Sequence, residues 1–401
     1  MQKILRGIDM MNSSQLLTSD LVLRRERLQS AMQQENMEAC ILTTSVNIFY
    51  LSGEIYTGYL YLPCEGEPIH FVKRPVDLSL ANVISVRKPE QIPESLLDRG
   101  LLLPTTVLLE TDVLPYNSCL RLLNALELRE AGNASMLLRD LRKVKTPYEI
   151  EQTRLCARQH VKVYEAVPSL YRIGMTDIEL QIEVEHWMRQ HGSLGIFRSY
   201  GENMDIHMGS LLAGENAEMP SPYDFALGGQ GISPALPLGA SGSLIREGQT
   251  VMVDMAGNFT PWMSDITRVY AVGKVDEPAY RAHQVSLEIH QAVLERTGPG
   301  TSCAALYDLA MELTRKNKLE PYFMGTRQQA KFVGHGVGLE INEPPVLTPR
   351  SKEELVPGIV FALEPKFVIP GVGAVGIENT YLVTPQGVEK LTEVEENVIK
   401  L

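Results

Sequence analysis

Apolar and polar positions along this chain alternate between two periods, and the change of period outlines its elements. LVLRRERLQSAMQQ, within residues 20 to 37, sets Leu28 and Met32 one turn apart and predicts a charged amphipathic helix. Strand-like runs follow at 39 to 44 (ACILTT) and 47 to 53 (NIFYLSG), and YLYL with PIHFV, flanking CEGE, predicts a hairpin. Apolar runs at 101 to 110 and 119 to 127 continue the α/β alternation to about residue 130. AGNAS, 131 to 135, reads as a linker. Beyond it, Pro147 marks the first turn of a helix whose stripe is Ile150, Ala157, Val161 and Tyr164. TDIE at Thr176 has the form of a capping box, with Leu180, Val184 and Trp187 as the apolar face that follows.

The same order then recurs. A helix from Glu277 carries Val285, Ile289 and Val293, GPGTS interrupts it, and a second helix carries Leu306, Leu309 and Leu313. Each helix pair leads into strand-like sequence with an acid-bearing hairpin, so residues 137–401 are expected to form two similar α/β halves facing each other. Residues 1–136 form a smaller α/β domain with no clustered acids, histidines or glycines. A length of 401 residues suits such a division.

The two acidic hairpins carry the candidate chemistry. In VMVDMAGNFTPWMSDITRVYAVG, 251 to 273, a turn centred between Phe259 and Thr260 sets Asp254 directly opposite Asp265, with Cβ atoms ~5 Å apart. In VFALEPKFVIPGVGAVGIENTYLV, 360 to 383, a turn centred on Gly371 sets Glu364 opposite Glu378. One such pair is compatible with a turn cap and a solvent-facing acid. Two pairs on apolar strands raise each other's pKa and call for positive charge. FVGHGVGLEI adds His335 between Gly334 and Gly336, and glycines alternating in a strand signal a close approach by backbone or ligand. Four carboxylates and one imidazole, without thiolate, suit two divalent ions such as Mn, Co, Fe or Zn. The charges balance near zero, so a bridging hydroxide can form at neutral pH and hydrolyse a substrate.

Composition narrows the setting. A net charge of −12 disfavours a nucleic-acid partner. No apolar run approaches the ~18 residues of a membrane span, and the N-terminus lacks a secretory cleavage pattern. Five cysteines, odd in number and widely spaced, fit reduced thiols in a cytoplasm.

At these motifs the chain resembles the pita-bread metallopeptidases: methionine aminopeptidase, aminopeptidase P and prolidase, with the metal-free creatinase. RERLQSAM with NIFYLSG is similar to the N-terminal domain of the prolidase and creatinase branch, and RKVKTPYEIEQTR to the start of the catalytic domain. The resemblance implies an α/β (α+β) pita-bread domain of two pseudo-symmetric halves after a creatinase-like domain. It implies that Asp254 holds one metal, that His335 and Glu364 hold the other, and that Asp265 and Glu378 bridge them, with Glu364 as proton shuttle. The implied activity is hydrolysis of an N-terminal peptide bond, Xaa-Pro above all, by a homodimer.

The chain also departs from that family. Leu238 and Asn342 stand where the peptidases carry histidines that contact substrate, Lys366 follows Pro365 where glycine is usual, and Gly376 stands where prolidase relatives often carry arginine. His207 is a candidate replacement donor. These departures keep open a metal-dependent hydrolase of a non-peptide C–N bond, or a binding protein that retains the fold without turnover.

Overall fold

A computed structural model describes residues 2–201 and 204–401, with side chains described from Gln15 onward. The N-terminal reading against a secretory leader therefore falls largely on side chains outside the description. The chain divides into two compact units, Met1–Arg142 and Lys143–Leu401. No described helix is long and apolar enough to cross a membrane.

In the first unit a six-stranded mixed sheet has Ala39–Leu42 at its centre, antiparallel to Thr57–Pro63 on one side and parallel to Val107–Leu109 on the other. The expected hairpin is present, with Thr57–Pro63 antiparallel to Ile69–Arg74. Ile41, Tyr61, Phe71, Leu96 and Leu109 belong to the core beside this sheet. The first helix runs Gln2–Gln34 and buries Leu28 and Met32.

Two expectations for this unit are corrected. Residues 47 to 53 are not a strand: Ser45–Ser52 is a helix, closed by Gly53 at φ 78° with its N–H on the Phe49 carbonyl. Its buried residues occupy nearly every position, so apolar periodicity could not separate helix from strand, and the glycine cap was the better signal. AGNAS is not a free linker either. Gly132–Asn133 pairs with Val107–Leu109 as an edge strand, and a helix, Ala134–Lys143, begins at once.

The second unit opens with Pro147–Leu170, whose start is fixed by a capping box between Thr146 and Glu149. Its most deeply buried apolar positions include Cys156, Ala157, Val163, Tyr164 and Val167, while Ile150 and Val161 are half-buried. Asp177–Gln190 follows, capped by Thr176 and Glu179 as the sequence predicts. The second helix pair is Glu277–Arg296 and Cys303–Lys316, with Val285, Ile289, Val293, Leu306 and Leu309 in one core.

Each helix pair accompanies a sheet. Thr250–Gly257 and Ser264–Ala271 are the central strands of a four-stranded sheet. Gly334–Gly336, Val360–Leu363 and Asn379–Thr384 lie side by side in a five-stranded one. The sheets meet at an isolated antiparallel bridge between Thr267 and Glu378. An acid-bearing strand of each half is thus joined to the other at the level of the candidate ligands.

Candidate metal site and active-site cavity

The first acidic hairpin forms, but its register differs from the expected one. Asp254 lies opposite Thr267, and Asp265 opposite Ala256. The two aspartates are therefore diagonal neighbours, about 7 Å apart in an ordinary ladder, not a directly opposed pair. The cause is the connection. Residues 258 to 263 form a loop in which Thr260 Oγ1 donates to the carbonyls of Trp262 and Gln152, and Trp262 is buried with Nε1 on Glu149 Oε1 at 3.1 Å. Anchoring Trp262 in the core moves the turn centre one residue towards the C-terminus.

The second hairpin keeps the expected register around Gly371. Leu363 pairs with Asn379 and Lys366 with Gly376, which leaves Glu364 across from Glu378 in the gap between the two ladder segments. At that gap Thr267 Oγ1 donates to Glu378 Oε2 at 2.7 Å, and Asp265 N donates to Thr380 Oγ1 at 2.8 Å. The strand that carries Asp265 is thereby joined to the second hairpin at Glu378 and Thr380.

His335 enters from Gly334–Gly336, paired between Val360–Leu363 and Glu343–Val346. Its flanking glycines are required by close packing: a Cβ at Gly334 would run into the Ala362 carbonyl, and one at Gly336 into the Pro344 carbonyl. His335 Nε2 lies 3.3 Å from Glu364 Oε1 and 3.8 Å from Asp265 Oδ2. The five predicted ligands thus converge on one centre.

A sixth residue shares that centre. Lys366 is fully buried, and its Nζ donates to Asp254 Oδ2 at 2.9 Å, Glu364 Oε2 at 2.7 Å and Glu378 Oε2 at 2.9 Å. In sequence Lys366 stands out only as a departure from the family pattern. The signal was present, since Lys366 stands two positions after Glu364 and alternate strand residues share a face.

Electrostatics divide the site in two. Around Lys366, burial disfavours charge, but the carboxylates outweigh it and hold the ammonium well above its ordinary pKa. Burial likewise opposes ionisation of Glu364, yet Lys366 and His335 together bring it down to about 2. On the other side, burial together with Glu378 and Asp254 pushes Asp265 well above the carboxylate range. Burial and Glu364 raise Glu378 to about 7. Burial opposes the charge on His335, but Glu364, Asp265 and Glu378 lift it to about 10. Protons collect at Asp265, His335 and Glu378 because one ammonium does not neutralise four buried carboxylates.

That proton-rich side is where a cation fits. One ligating atom each from Asp265, His335 and Glu378 lies within 4.8 Å of the others. Glu378 Oε1 is buried without a hydrogen-bond partner. Two carboxylates and an imidazole suit a hard or borderline divalent ion. All five predicted ligands except the imidazole are nearly fully buried, and all line one cavity of about 380 Å³ with Phe197, Tyr223, Phe225 and Phe332.

Residues 151–385 match Metallopeptidase family M24, and residues 24–144 match the Creatinase/Prolidase N-terminal domain. The chain belongs to metallopeptidase family M24. A protein named Xaa-Pro dipeptidase from Pyrococcus furiosus is 26% identical over 384 residues, covering 94% of this chain and 99% of that one. Among solved structures, an Xaa-Pro dipeptidase from Bacillus anthracis superposes with a TM-score of 0.78 at 24% identity, covering 95% of this chain and 100% of that one. An X-Pro aminopeptidase from Thermotoga maritima gives a TM-score of 0.77 at 20% identity, covering 94% and 99%. The fold is accordingly the pita-bread arrangement, preceded in sequence by a creatinase-type domain, and family membership makes the chain a hydrolase of the metallopeptidase class.

Within this M24 region the three tentative substrate residues separate. Asn342 lines the cavity, but its amide is committed to the backbone of Tyr200, accepting from the N–H at 2.7 Å and donating to the carbonyl at 2.8 Å. Leu238 is buried and His207 is exposed, and neither is among the described residues lining the cavity.

Proposed function

We propose that this chain is a divalent-metal-dependent hydrolase acting at the N-terminal peptide bond of short peptides, with Xaa-Pro substrates as its class. The observation that carries the reading is the convergence of Asp265, His335 and Glu378 on the wall of an aromatic-lined cavity. The names of the relatives supply the substrate class. Asp265, His335 and Glu378 would hold the ion. When bound, such an ion supplies Lewis-acid polarisation of a carbonyl and readies water for attack.

Glu364 would move the proton, a role supported by its position in the cavity lining beside His335. Phe197, Tyr223, Phe225 and Phe332 offer apolar surface for a side chain or a proline ring and keep water from the reacting bond. The reading carries with it an ion drawn from Mn, Co, Fe and Zn, a cytoplasmic setting and a homodimer. The two-ion form with a bridging nucleophile, expected from four carboxylates, meets competition from Lys366 for Asp254.

The test is a substrate panel on protein stripped with a chelator and reconstituted with each ion in turn. Xaa-Pro dipeptides or longer Xaa-Pro peptides should be cleaved, the activity lost on stripping and restored by metal. Cleavage unchanged after complete metal removal overturns the reading. A second reading, hydrolysis of a non-peptide C–N bond, is favoured by Leu238 and by the committed amide of Asn342. Turnover of small guanidino or amide compounds with no Xaa-Pro cleavage would establish it.

A further inference from the structure

Four carboxylates converge in the M24 region, and a cation from within the chain already lies among them. Lys366 begins the strand Lys366–Ile369, so its side chain follows that of Glu364 onto the same face. It pairs with Gly376, which has no side chain to compete for that space. The whole residue is buried, and its ammonium makes three charge-assisted hydrogen bonds, to Asp254, Glu364 and Glu378. Each bond goes to a different carboxylate, so the three oxygens surround one point.

A divalent ion bound to those same oxygens would sit about 2.0–2.2 Å from each. The Lys366 nitrogen lies 2.7 to 2.9 Å from all three and would overlap it. The stem is enclosed and offers the ammonium no exposed alternative. The remaining ligands are not blocked in this way. Among the described residues Lys366 bonds to neither Asp265 nor His335, and Glu378 retains a buried oxygen, Oε1, with no partner.

We propose that Lys366 is a built-in cation filling one of the two cation positions among the four carboxylates, so that each chain takes a single divalent ion, at Asp265, His335 and Glu378. This rests on the metal-dependent reading above, and it replaces the two-ion centre expected from the carboxylate pairs with a lysine and one ion. Asp254 thereby becomes a partner of the lysine and not a metal ligand. Lys366 is a positioning residue: it holds Glu364 and Glu378 by Oε2 of each, which leaves Glu364 Oε1 beside His335 and Glu378 Oε1 without a partner.

Metal stoichiometry tests the proposal without reference to turnover. Stripped full-length protein would be titrated with Mn²⁺ and with Zn²⁺ by calorimetry, and the ions retained after gel filtration counted by elemental analysis. One ion per chain is expected for the wild type, two for Lys366→Gly and none for His335→Ala. Circular dichroism checks each fold. Two ions per chain in the wild type, or the same count in wild type and a folded Lys366→Gly, overturn the proposal. Should Lys366→Gly not fold, anomalous diffraction from wild-type crystals grown with Mn²⁺ decides. A single peak beside His335 supports the assignment, and a peak between Asp254 and Glu364 refutes it. One bound ion without Xaa-Pro cleavage sinks only the substrate reading. Two bound ions with cleavage sink only the lysine assignment.

Discussion

Lys366 Nζ donates to Asp254 Oδ2 across 2.9 Å, joining two buried residues 112 positions apart. Removing one member of a buried ion pair leaves the other uncompensated, at a cost of about 3–5 kcal/mol. Lys366→Met is therefore expected to lower unfolding stability by roughly that amount in chelator-treated buffer. Added divalent ion should recover part of the loss, because it can now reach Asp254. Guanidinium denaturation with and without chelator reads both effects, and equal stability of variant and wild type in chelator counts against the interaction.

Asn342 holds the backbone of Tyr200 by both ends of its amide, and both residues line the cavity. Asn342→Ala should release that segment and weaken substrate positioning. With about 1.4 kcal/mol per tenfold change, the loss of two hydrogen bonds of ordinary strength predicts a rise in KM of about tenfold, with kcat less affected. Steady-state kinetics on the best substrate of the panel separates the two parameters. A fall in kcat at constant KM would assign Asn342 to the chemical step.

Close packing around His335 gives a third expectation. Alanine at Gly334 or Gly336 would drive a methyl into the Ala362 or Pro344 carbonyl, and backbone does not yield as a flexible side chain does. Each substitution should cost about 1–3 kcal/mol of stability. Displacing His335 should also weaken the retained ion by at least an order of magnitude, the scale of losses when the support of a metal ligand is disturbed. Thermal unfolding and Mn²⁺ titration provide the two readouts, and unaltered ion affinity in both variants would contradict the packing argument.

Two buried histidines outside the candidate ligand set impose an acid limit. Burial lowers His160 to about 3 and His290 to about 3, from an ordinary 6.5. Above pH 6.5 neither state is protonated. Between 6.5 and 3 the unfolded chain gains protons that the folded chain refuses, so stability is lost progressively as pH falls through that window. His290 contacts Tyr381 OH at 2.8 Å and the Ile377 carbonyl at 3.1 Å, both of which an amide side chain can address. His290→Gln should accordingly flatten the decline by up to about 1.4 kcal/mol per pH unit. Urea midpoints between pH 8 and pH 4 measure the difference, and parallel profiles would show that His290 is not held neutral.

Where local chemistry decided an element, the sequence was readable. Thr146 with Glu149 and Thr176 with Glu179 announced helix starts through caps that need only four residues. Glu364 and Glu378 were registered correctly because Pro370 and the glycines around Gly371 permit a tight turn there. The Asp254 and Asp265 register was not, because it depends on Trp262 reaching Glu149, a contact 113 positions away. Ser45–Ser52 was misread because burial on every side erases periodicity. Lys366 was visible as a charge in the apolar stretch KFVI, but only the folded hairpins show which three acids it serves.

The bridge between Thr267 and Glu378 fastens the two lobes at the chemistry itself. Main-chain bonds run both ways between them, 3.4 Å from Thr267 N and 3.2 Å from Glu378 N, while the threonine hydroxyl grips the same glutamate. The halves therefore cannot spread to admit a bulky guest without dismantling the acids that would act on it. Accommodation must come from the rim, where Tyr200, Met204 and Tyr223 lie outside regular strands and helices, so substrate size should respond to changes there and resist changes in the floor.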